Sequence, residues 1–181
     1  MKKAFTLIEL VIVIVVVGIL AAAIIPRLRT NPVSEASIDL LSKIRYTQHL
    51  SMVDDKYNAS TTSWYKNRWQ LVINNNSYSI VSDDNITYAL NPFDKISTIE
   101  KIKLKGVSSI TLSGGCDGKN IISFDYLGRP LIGSLSDTTS AYTVAGNNGE
   151  LLTEICDINL TNGSKTVSIH IAPETGYTSI Q

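Results

Sequence analysis

Glu9 is the one charged residue in an otherwise apolar segment that runs from Phe5 to Ile25. An acidic group in hydrocarbon is unfavourable by roughly 2.5–3.5 kcal/mol on insertion scales, so a carboxylate at this position needs a partner. A cut between Ala4 and Phe5 would create an α-amino group one helical turn from Glu9. In two staggered helices, the Glu9 carboxylate of one subunit would then neutralise the Phe5 amine of its neighbour. The chemistry predicted for Glu9 is charge pairing between subunits.

The apolar segment itself has the length of a membrane-spanning helix. Its residues would extend about 31 Å as an α-helix, which matches the hydrocarbon core of a bilayer at about 30 Å. Lys2 and Lys3 precede it. The same features suit a conventional secretory signal that is cut after Ala23, or a plain membrane anchor. An acid inside the segment favours a third alternative, an anchor whose carboxylate has a partner.

The stretch Lys2-Lys3-Ala4-Phe5-Thr6-Leu7-Ile8-Glu9-Leu10 resembles the class III signal of type IV pilins and type II secretion pseudopilins. The resemblance implies that a prepilin peptidase cuts before Phe5 and methylates the new amine, and that Glu9 is the assembly glutamate. Pro26 matches the helix-bending proline of the family. The family usually has Gly before the cut, whereas this chain has Ala4, a small residue that is expected to slow processing at most.

The same resemblance implies partners and a location. Expected partners are other pilin or pseudopilin subunits, the prepilin peptidase and an inner-membrane assembly platform. The protein would cross the bacterial inner membrane once, with its head in the periplasm or on the filament surface. The predicted divisions are a leader at 1–4, a transmembrane helix at 5–25, a periplasmic amphipathic helix at 26–57 and a β-rich head at 58–181.

Cys116 and Cys156 are the two cysteines of the chain. Because they form no CxxC motif and no cluster with histidine, neither a metal site nor a redox motif is indicated. A disulfide between them is the favoured interpretation for an exported head, and two buried thiols are the alternative. A bridge would stabilise the fold by roughly 4 kcal/mol on a loop-closure argument.

Charge and histidine content give no sign of an enzyme. The chain carries 16 basic and 16 acidic residues, so nothing global indicates nucleic acid as the main partner. His49 and His170 are its two histidines, and both are expected to be surface or partly packed groups rather than catalytic bases. We therefore expect no catalytic residue, no metal and no cofactor.

Lys101, Lys103 and Lys105 alternate along a predicted strand. They would suit an anionic partner such as DNA, or they would protect an exposed sheet edge against aggregation. Edge protection is the favoured interpretation, because no aromatic residues are interleaved with the lysines and the net charge of the chain is zero.

Two further patterns are weaker. Asp83, Asp84, Asn85 and Asp94 offer oxygen ligands for calcium, but they do not match an EF-hand loop, and turns are expected there instead. Asn85 and Asn159 each lie in an acid-x-Asn-x-Thr pattern that resembles the acceptor of some bacterial N-glycosylation systems. The pattern leaves glycosylation open.

The spacing of apolar residues changes along the chain, from the spacing of a helix to the alternation typical of strands. Residues 33–55 have a helical pattern in which one stripe is predicted to cover a sheet, namely Ile38, Leu40, Leu41, Ile44, Gln48 and Val53. Strands are predicted at 69–73, 78–82, 98–105, 107–112, 121–126, 131–135, 155–160 and 166–171. Asn162-Gly163 is the strongest hairpin signal.

These elements predict an α+β fold. No helical pattern separates the strands, so antiparallel pairing is expected. The resemblance implies a pilin-like arrangement, with a long N-terminal helix, transmembrane in its first half, packed on an antiparallel β-rich head. Residues 124–130 and 169–177 resemble those of an H-type minor pseudopilin or a related minor type IV pilin. The alternatives are a minor pilin that binds DNA for uptake, a major pilus subunit, and an ordinary secreted β domain.

Overall fold

The computed structural model describes residues 6–24, 31–82, 84–144 and 146–181. The chain divides into two compact units, residues 1–31 and 32–181. The predicted cleavage site at Ala4 and Phe5 lies outside the described residues, and so do the predicted bend at Pro26 and Asp83.

In the first unit, helix α1 spans Leu7–Ile24 and consists almost wholly of apolar residues. The side chains of this helix are exposed from Leu7 to Ala22. Of the helices in the described ranges, none combines the length and the apolarity that a membrane crossing needs.

In the second unit, helix α2 spans Pro32–Val53, close to the predicted limits. Pro32 occupies its first turn, where a missing N–H removes no helical hydrogen bond. The predicted stripe is correct at Leu40 and Ile44, which are fully buried, and wrong at Ile38 and Val53, which are 58% and 71% exposed.

The buried face of α2 also contains hydroxyl side chains, which a search for apolar residues passes over. Ser37, Thr47 and Ser51 are buried beside the apolar residues of this face. Each hydroxyl donates to a backbone carbonyl about one turn earlier, at 2.7–3.1 Å. Because these bonds satisfy the hydroxyls within the helix, small polar residues can be buried without a partner in the sheet.

After a 3-10 helix at Trp64–Asn67, the described residues form short strands. The strands are β1 Gln70–Asn74, β2 Ser77–Ser82, β3 Thr87–Tyr88, β4 Ile102–Lys103, β5 Ser109–Gly114, β6 Ile121–Phe124, β7 Pro130–Ile132, β8 Glu150–Leu151, β9 Cys156–Thr161, β10 Thr166–Ile171 and β11 Thr178–Ile180. One sheet has the order β3-β2-β1-β6-β7-β8, with β4 also paired to β2, and the other has the order β11-β10-β9-β5.

The predicted antiparallel pairing and its hairpins are confirmed. Strands β1 and β2 pair across a turn at Asn75, which has a φ of 41°. Strands β6 and β7 form the second hairpin. Strands β9 and β10 pair across the Asn162-Gly163 turn, where Gly163 has a φ of 90° that glycine adopts without strain.

The strand predicted at 98–105 is wrong over most of its length, because only Ile102 and Lys103 form a strand there, β4, while Thr98 makes an isolated antiparallel bridge to Leu90. The backbone of Lys101 is left-handed, with a φ of 49°, and this interrupts the alternation of side chains between the two faces of an extended strand. Beyond β4, Leu104 is buried and its N–H donates to the carbonyl of Asn76 at 2.9 Å. The chain therefore turns inward where the alternating pattern indicates an extended edge.

Helix α2 packs on strands of both sheets, including β1, β6, β9, β10 and β11. The core between them consists largely of aliphatic side chains, among them Leu40, Ile44, Leu71, Ile80, Ile122, Ile158, Leu160, Ile169 and Ile171. The predicted α+β fold, with a helix packed on an antiparallel β-rich domain, is confirmed.

Gln48 of α2 connects the two sheets. Its Nε2 donates to the carbonyl of Gly128, in the β6–β7 turn, at 2.9 Å and to the carbonyl of Thr175, in the β10–β11 turn, at 3.0 Å. Gly176 has a φ of 64°, and a Cβ there would lie 2.7 Å from both Gln48 Nε2 and the Gly128 carbonyl oxygen. The helix and the two turns therefore meet at one closely packed point.

Candidate functional site

Thr6 and Glu9 form a reciprocal cap at the start of α1. The backbone N–H and the hydroxyl of Thr6 both donate to Glu9 Oε2, at 3.2 and 3.1 Å. In return, the backbone N–H of Glu9 donates to the Thr6 hydroxyl at 3.4 Å. This arrangement is a capping box, which satisfies N–H groups that have no partner within the first turn of a helix.

The capping box gives Glu9 a structural role in addition to the charge pairing predicted from the sequence. Its signal, Thr6 followed three residues later by Glu9, is present in the sequence. A glutamine at the third position can close the same box, so capping requires an acceptor but no charge. The negative charge of Glu9 also interacts favourably with the N-terminal end of the α1 dipole, but this effect is worth only about 0.3–1 kcal/mol, less than the cost of a carboxylate in hydrocarbon.

The predicted disulfide between Cys116 and Cys156 is confirmed. Both residues are fully buried, and their Cα atoms lie 5.1 Å apart. Cys156 is the first residue of β9 and pairs with Gly114 in the β5–β9 register. Cys116 lies two residues beyond Gly114 in the chain. The bond therefore joins the connection that leaves β5 to the neighbouring strand β9.

The three lysines are exposed, and β4 lies at the edge of the larger sheet beside β2. Lys103 and Lys105 line a shallow cavity together with Glu35 and Asp39 of α2. Lys101 approaches Glu100 at 3.9 Å. Acidic side chains thus accompany the lysines, an arrangement that suits edge protection better than the binding of a polyanion.

The oxygen-rich stretches around Asp84 and Asp94, which offer ligands for calcium, form turns, as expected. Asp94 Oδ1 accepts hydrogen bonds from the backbone N–H groups of Ile96 and Ser97, and the Asp84 carboxylate accepts one from the Ser136 hydroxyl. The hydroxyl of Ser97 also donates to Asp94 Oδ2, at 2.5 Å, and this bond contributes most to holding the pKa of Asp94 below its usual range. Within the described ranges, no group of three or more His, Cys, Asp or Glu residues is placed to hold a metal ion.

The two asparagines of the glycosylation patterns differ in accessibility. Asn85 is exposed and has a left-handed backbone, with a φ of 70°. Asn159 lies within β9, where its side chain donates to the Ser113 hydroxyl at 3.0 Å and accepts from the Ser168 hydroxyl at 2.6 Å. A glycan on Asn159 would have to break these cross-strand bonds.

His49 is exposed, and His170 contacts Asp157, its partner in the β9–β10 register, with 2.9 Å between Nδ1 and Oδ1.

A buried charged cluster surrounds Asp125, in the turn between β6 and β7. Asp125 is fully buried, and its Oδ1 accepts from the backbone N–H groups of Leu127 and Arg129 at 3.0 and 2.9 Å. Its Oδ2 accepts from Arg129 Nε at 2.8 Å and from the Tyr142 hydroxyl at 3.2 Å, and lies 2.7 Å from Arg129 Nη2. The Asp125 carboxylate raises the pKa of the Arg129 guanidinium, chiefly through the hydrogen bond.

Arg68 lies beside this cluster with almost no exposure, and burial lowers the pKa of its guanidinium. Its Nη1 donates to the carbonyl of Ala141 at 2.8 Å. Its guanidinium carbon lies 4.8 Å from the ring centres of both Trp64 and Tyr142, a cation–π arrangement. Its Nη2 is buried without a hydrogen-bond partner among the described residues.

Replacement of Asp125 by alanine is expected to lower the free energy of unfolding by about 3 kcal/mol, because two backbone N–H groups and the guanidinium of Arg129 lose their acceptor. Urea unfolding, followed by tryptophan fluorescence, measures the change. Asp117→Ala, at an exposed position, is the control and is expected to change stability by less than about 0.5 kcal/mol. Equal stabilities of the two variants would contradict this assignment.

The comparisons with known proteins concern the N-terminus. Residues 1–25 match the family described as the prokaryotic N-terminal methylation motif. This match identifies a class III prepilin signal and is consistent with a type IV pilin-like protein. Neither the curated proteins nor the solved structures contain a significant match to the chain.

Proposed function

We propose that this chain is a minor filament subunit of a type IV pilus or of a type II secretion system, anchored in the bacterial inner membrane until assembly. The observation that carries the proposal is the N-terminal methylation motif at residues 1–25, which implies processing by a prepilin peptidase and assembly with other pilin subunits. The α+β head, with α2 packed on antiparallel sheets, supports the same conclusion.

In this proposal, Phe5 becomes the methylated N-terminus and Glu9 neutralises the Phe5 amine of a neighbouring subunit. The exposed apolar side chains of α1 are suited to burial first against lipid and then against the equivalent helices of other subunits. The chemistry is performed on the chain by the peptidase, and we propose no enzymatic activity for the chain itself. Its own contribution is packing through α1 and recognition through the head.

The N-terminal residue and the intact mass of the protein, isolated from membranes of its native host, test the proposal. We expect a chain that begins with N-methylated Phe5. An Ala4→Gly variant, which restores the residue usual before the cut, serves as the control for efficient cleavage. A chain that begins at Ile24 would indicate a conventional signal peptide, and uncut Met1 in both proteins would indicate a simple anchor. Either result would overturn the proposal.

A further inference from the structure

A cleft of about 440 Å³ opens on the head, and aromatic rings form most of its wall. It is lined by Asp55, Tyr57, Trp64, Tyr126, Arg129 and Tyr142. Its volume lies within the range of small-molecule sites, which typically combine an apolar wall with a few polar groups.

Four separate segments of the second unit supply these side chains. Asp55 and Tyr57 follow the end of α2, and Trp64 begins the 3-10 helix. Tyr126 and Arg129 belong to the β6–β7 turn, and Tyr142 lies in the connection from β7 to β8. Because residues far apart in the chain converge here, the cleft is a product of the folded head.

Neighbouring contacts fix the geometry of the cleft. The rings of Tyr57 and Trp64 meet edge to face, with centroids 5.1 Å apart and planes at 75°. Arg129 lies over the Tyr142 ring at 5.5 Å and is held by Asp125. The wall is therefore largely formed before any ligand arrives, which reduces the entropy lost on binding.

Two of the rings present free surface to solvent, because Tyr57 is 62% exposed and Tyr126 is 52% exposed. Exposed aromatic rings grouped at a concave site are typical of binding surfaces. Arg68, whose Nη2 has no hydrogen-bond partner among the described residues, stacks on Trp64 and Tyr142. A buried donor without a partner therefore adjoins the wall of the cleft.

The charges of the cleft select against ionic ligands. Asp55 and Arg129 contribute opposite charges to its wall, and Asp125 further neutralises Arg129. A nucleic acid strand would need a positive track for its phosphates, and Asp55, Asp125, Arg68 and Arg129 together leave the site without a net charge to balance either a cation or an anion. The remaining class of ligand is neutral, with apolar faces for the rings and hydroxyls for the two charged groups.

We propose that this cleft binds a neutral oligosaccharide. The C–H faces of a sugar ring would stack on Tyr57 and Tyr126, while neighbouring hydroxyls donate to the Asp55 carboxylate and accept from Arg129. This site adds glycan recognition to the head and is independent of the assembly function proposed above.

The test uses the full-length protein in micelles of a detergent that has no sugar headgroup. Cellohexaose, chitohexaose, maltohexaose and xylohexaose are titrated into a Trp69→Phe background, in which the fluorescence of Trp64 reports binding. We expect at least one of them to bind with a millimolar or lower Kd. Tyr57→Ala and Tyr126→Ala are each expected to weaken that binding by about fivefold or more, as for truncation of a contacting aromatic side chain.

Two variants complete the design. Tyr177→Ala removes an equally exposed ring outside the cleft and should leave the Kd within about twofold, the size of effect expected for a residue that does not contact the ligand. Tyr57→Phe keeps the ring and should retain binding, and a urea unfolding midpoint of Tyr57→Ala equal to that of the wild type would show that its loss of binding is not a folding defect. Failure of all four sugars to bind, equal affinity of all the variants, or binding of a proline-rich peptide or oligothymidylate at the cleft instead would overturn the proposal.

Discussion

Replacement of Glu9 by glutamine is expected to leave cleavage before Phe5 unchanged and to reduce incorporation into filaments by more than about tenfold. Glutamine can still accept from Thr6 and close the capping box, so the start of α1 should be preserved. It carries no charge, so the neighbouring Phe5 amine would lie unpaired in hydrocarbon, which costs roughly 2.5 kcal/mol or more. Immunoblots of membrane and sheared-filament fractions measure both outcomes.

Two companion variants separate charge from capping. Thr6→Val removes the hydroxyl of the capping box and keeps the Glu9 charge, so it is expected to assemble. Glu9→Ala removes both the cap and the charge, and it is expected to fail as Glu9→Gln does. Normal assembly of Glu9→Gln together with failure of Glu9→Ala would show that Glu9 acts as a cap. Normal assembly of both Glu9 variants would contradict the proposed charge pair between Glu9 and the Phe5 amine.

Replacement of both Cys116 and Cys156 by alanine is expected to lower the free energy of unfolding of the head by about 4 kcal/mol. The bridge spans a sequence separation of 40 residues, and its loss returns that loop's entropy to the unfolded chain. Urea unfolding, followed by the fluorescence of Trp64 and the buried Trp69, measures the change.

Reductant provides the matched control. Unfolding of the wild-type protein under reducing conditions should approach that of the double variant, and reductant should have no effect on the double variant. A change of less than about 1 kcal/mol in the double variant would mean that the bridge adds little beyond the packing of the core.

Prediction from the sequence succeeded where local chemistry determines the structure. The Asn162-Gly163 turn and the limits of α2 follow from backbone preferences and from the spacing of Leu40 and Ile44. It failed at 98–105, where the left-handed Lys101 and the inward turn at Leu104 depend on contacts with β2 and Asn76. Very short strands such as β8 and β11 contain too few residues for any alternation to be recognised.

The site at the N-terminus was within reach of sequence reasoning because its residues lie within one helical turn. The capping signal, Thr6 followed three residues later by Glu9, is itself local, whereas the charge pair predicted for Glu9 involves a second subunit. The cluster around Asp125 is different, since tertiary folding brings Arg68 and Tyr142 to the β6–β7 turn that holds Asp125 and Arg129. Only the contacts within this turn, the Asx turn from Asp125 to Leu127 and the ion pair with Arg129, have a local signal.

The position of Gln48 has a mechanical consequence. Its amide donates hydrogen bonds to backbone carbonyls in one turn of each sheet. Elsewhere on α2, Arg45 donates to Thr178 of β11, and Asp39 accepts a hydrogen bond from Tyr78 of β2. A pulling force that enters the head through α2 is thus divided between two sheets at several points along the helix. Neither sheet can be peeled away first, and under tension the head should rupture as a single unit rather than stretch by stages.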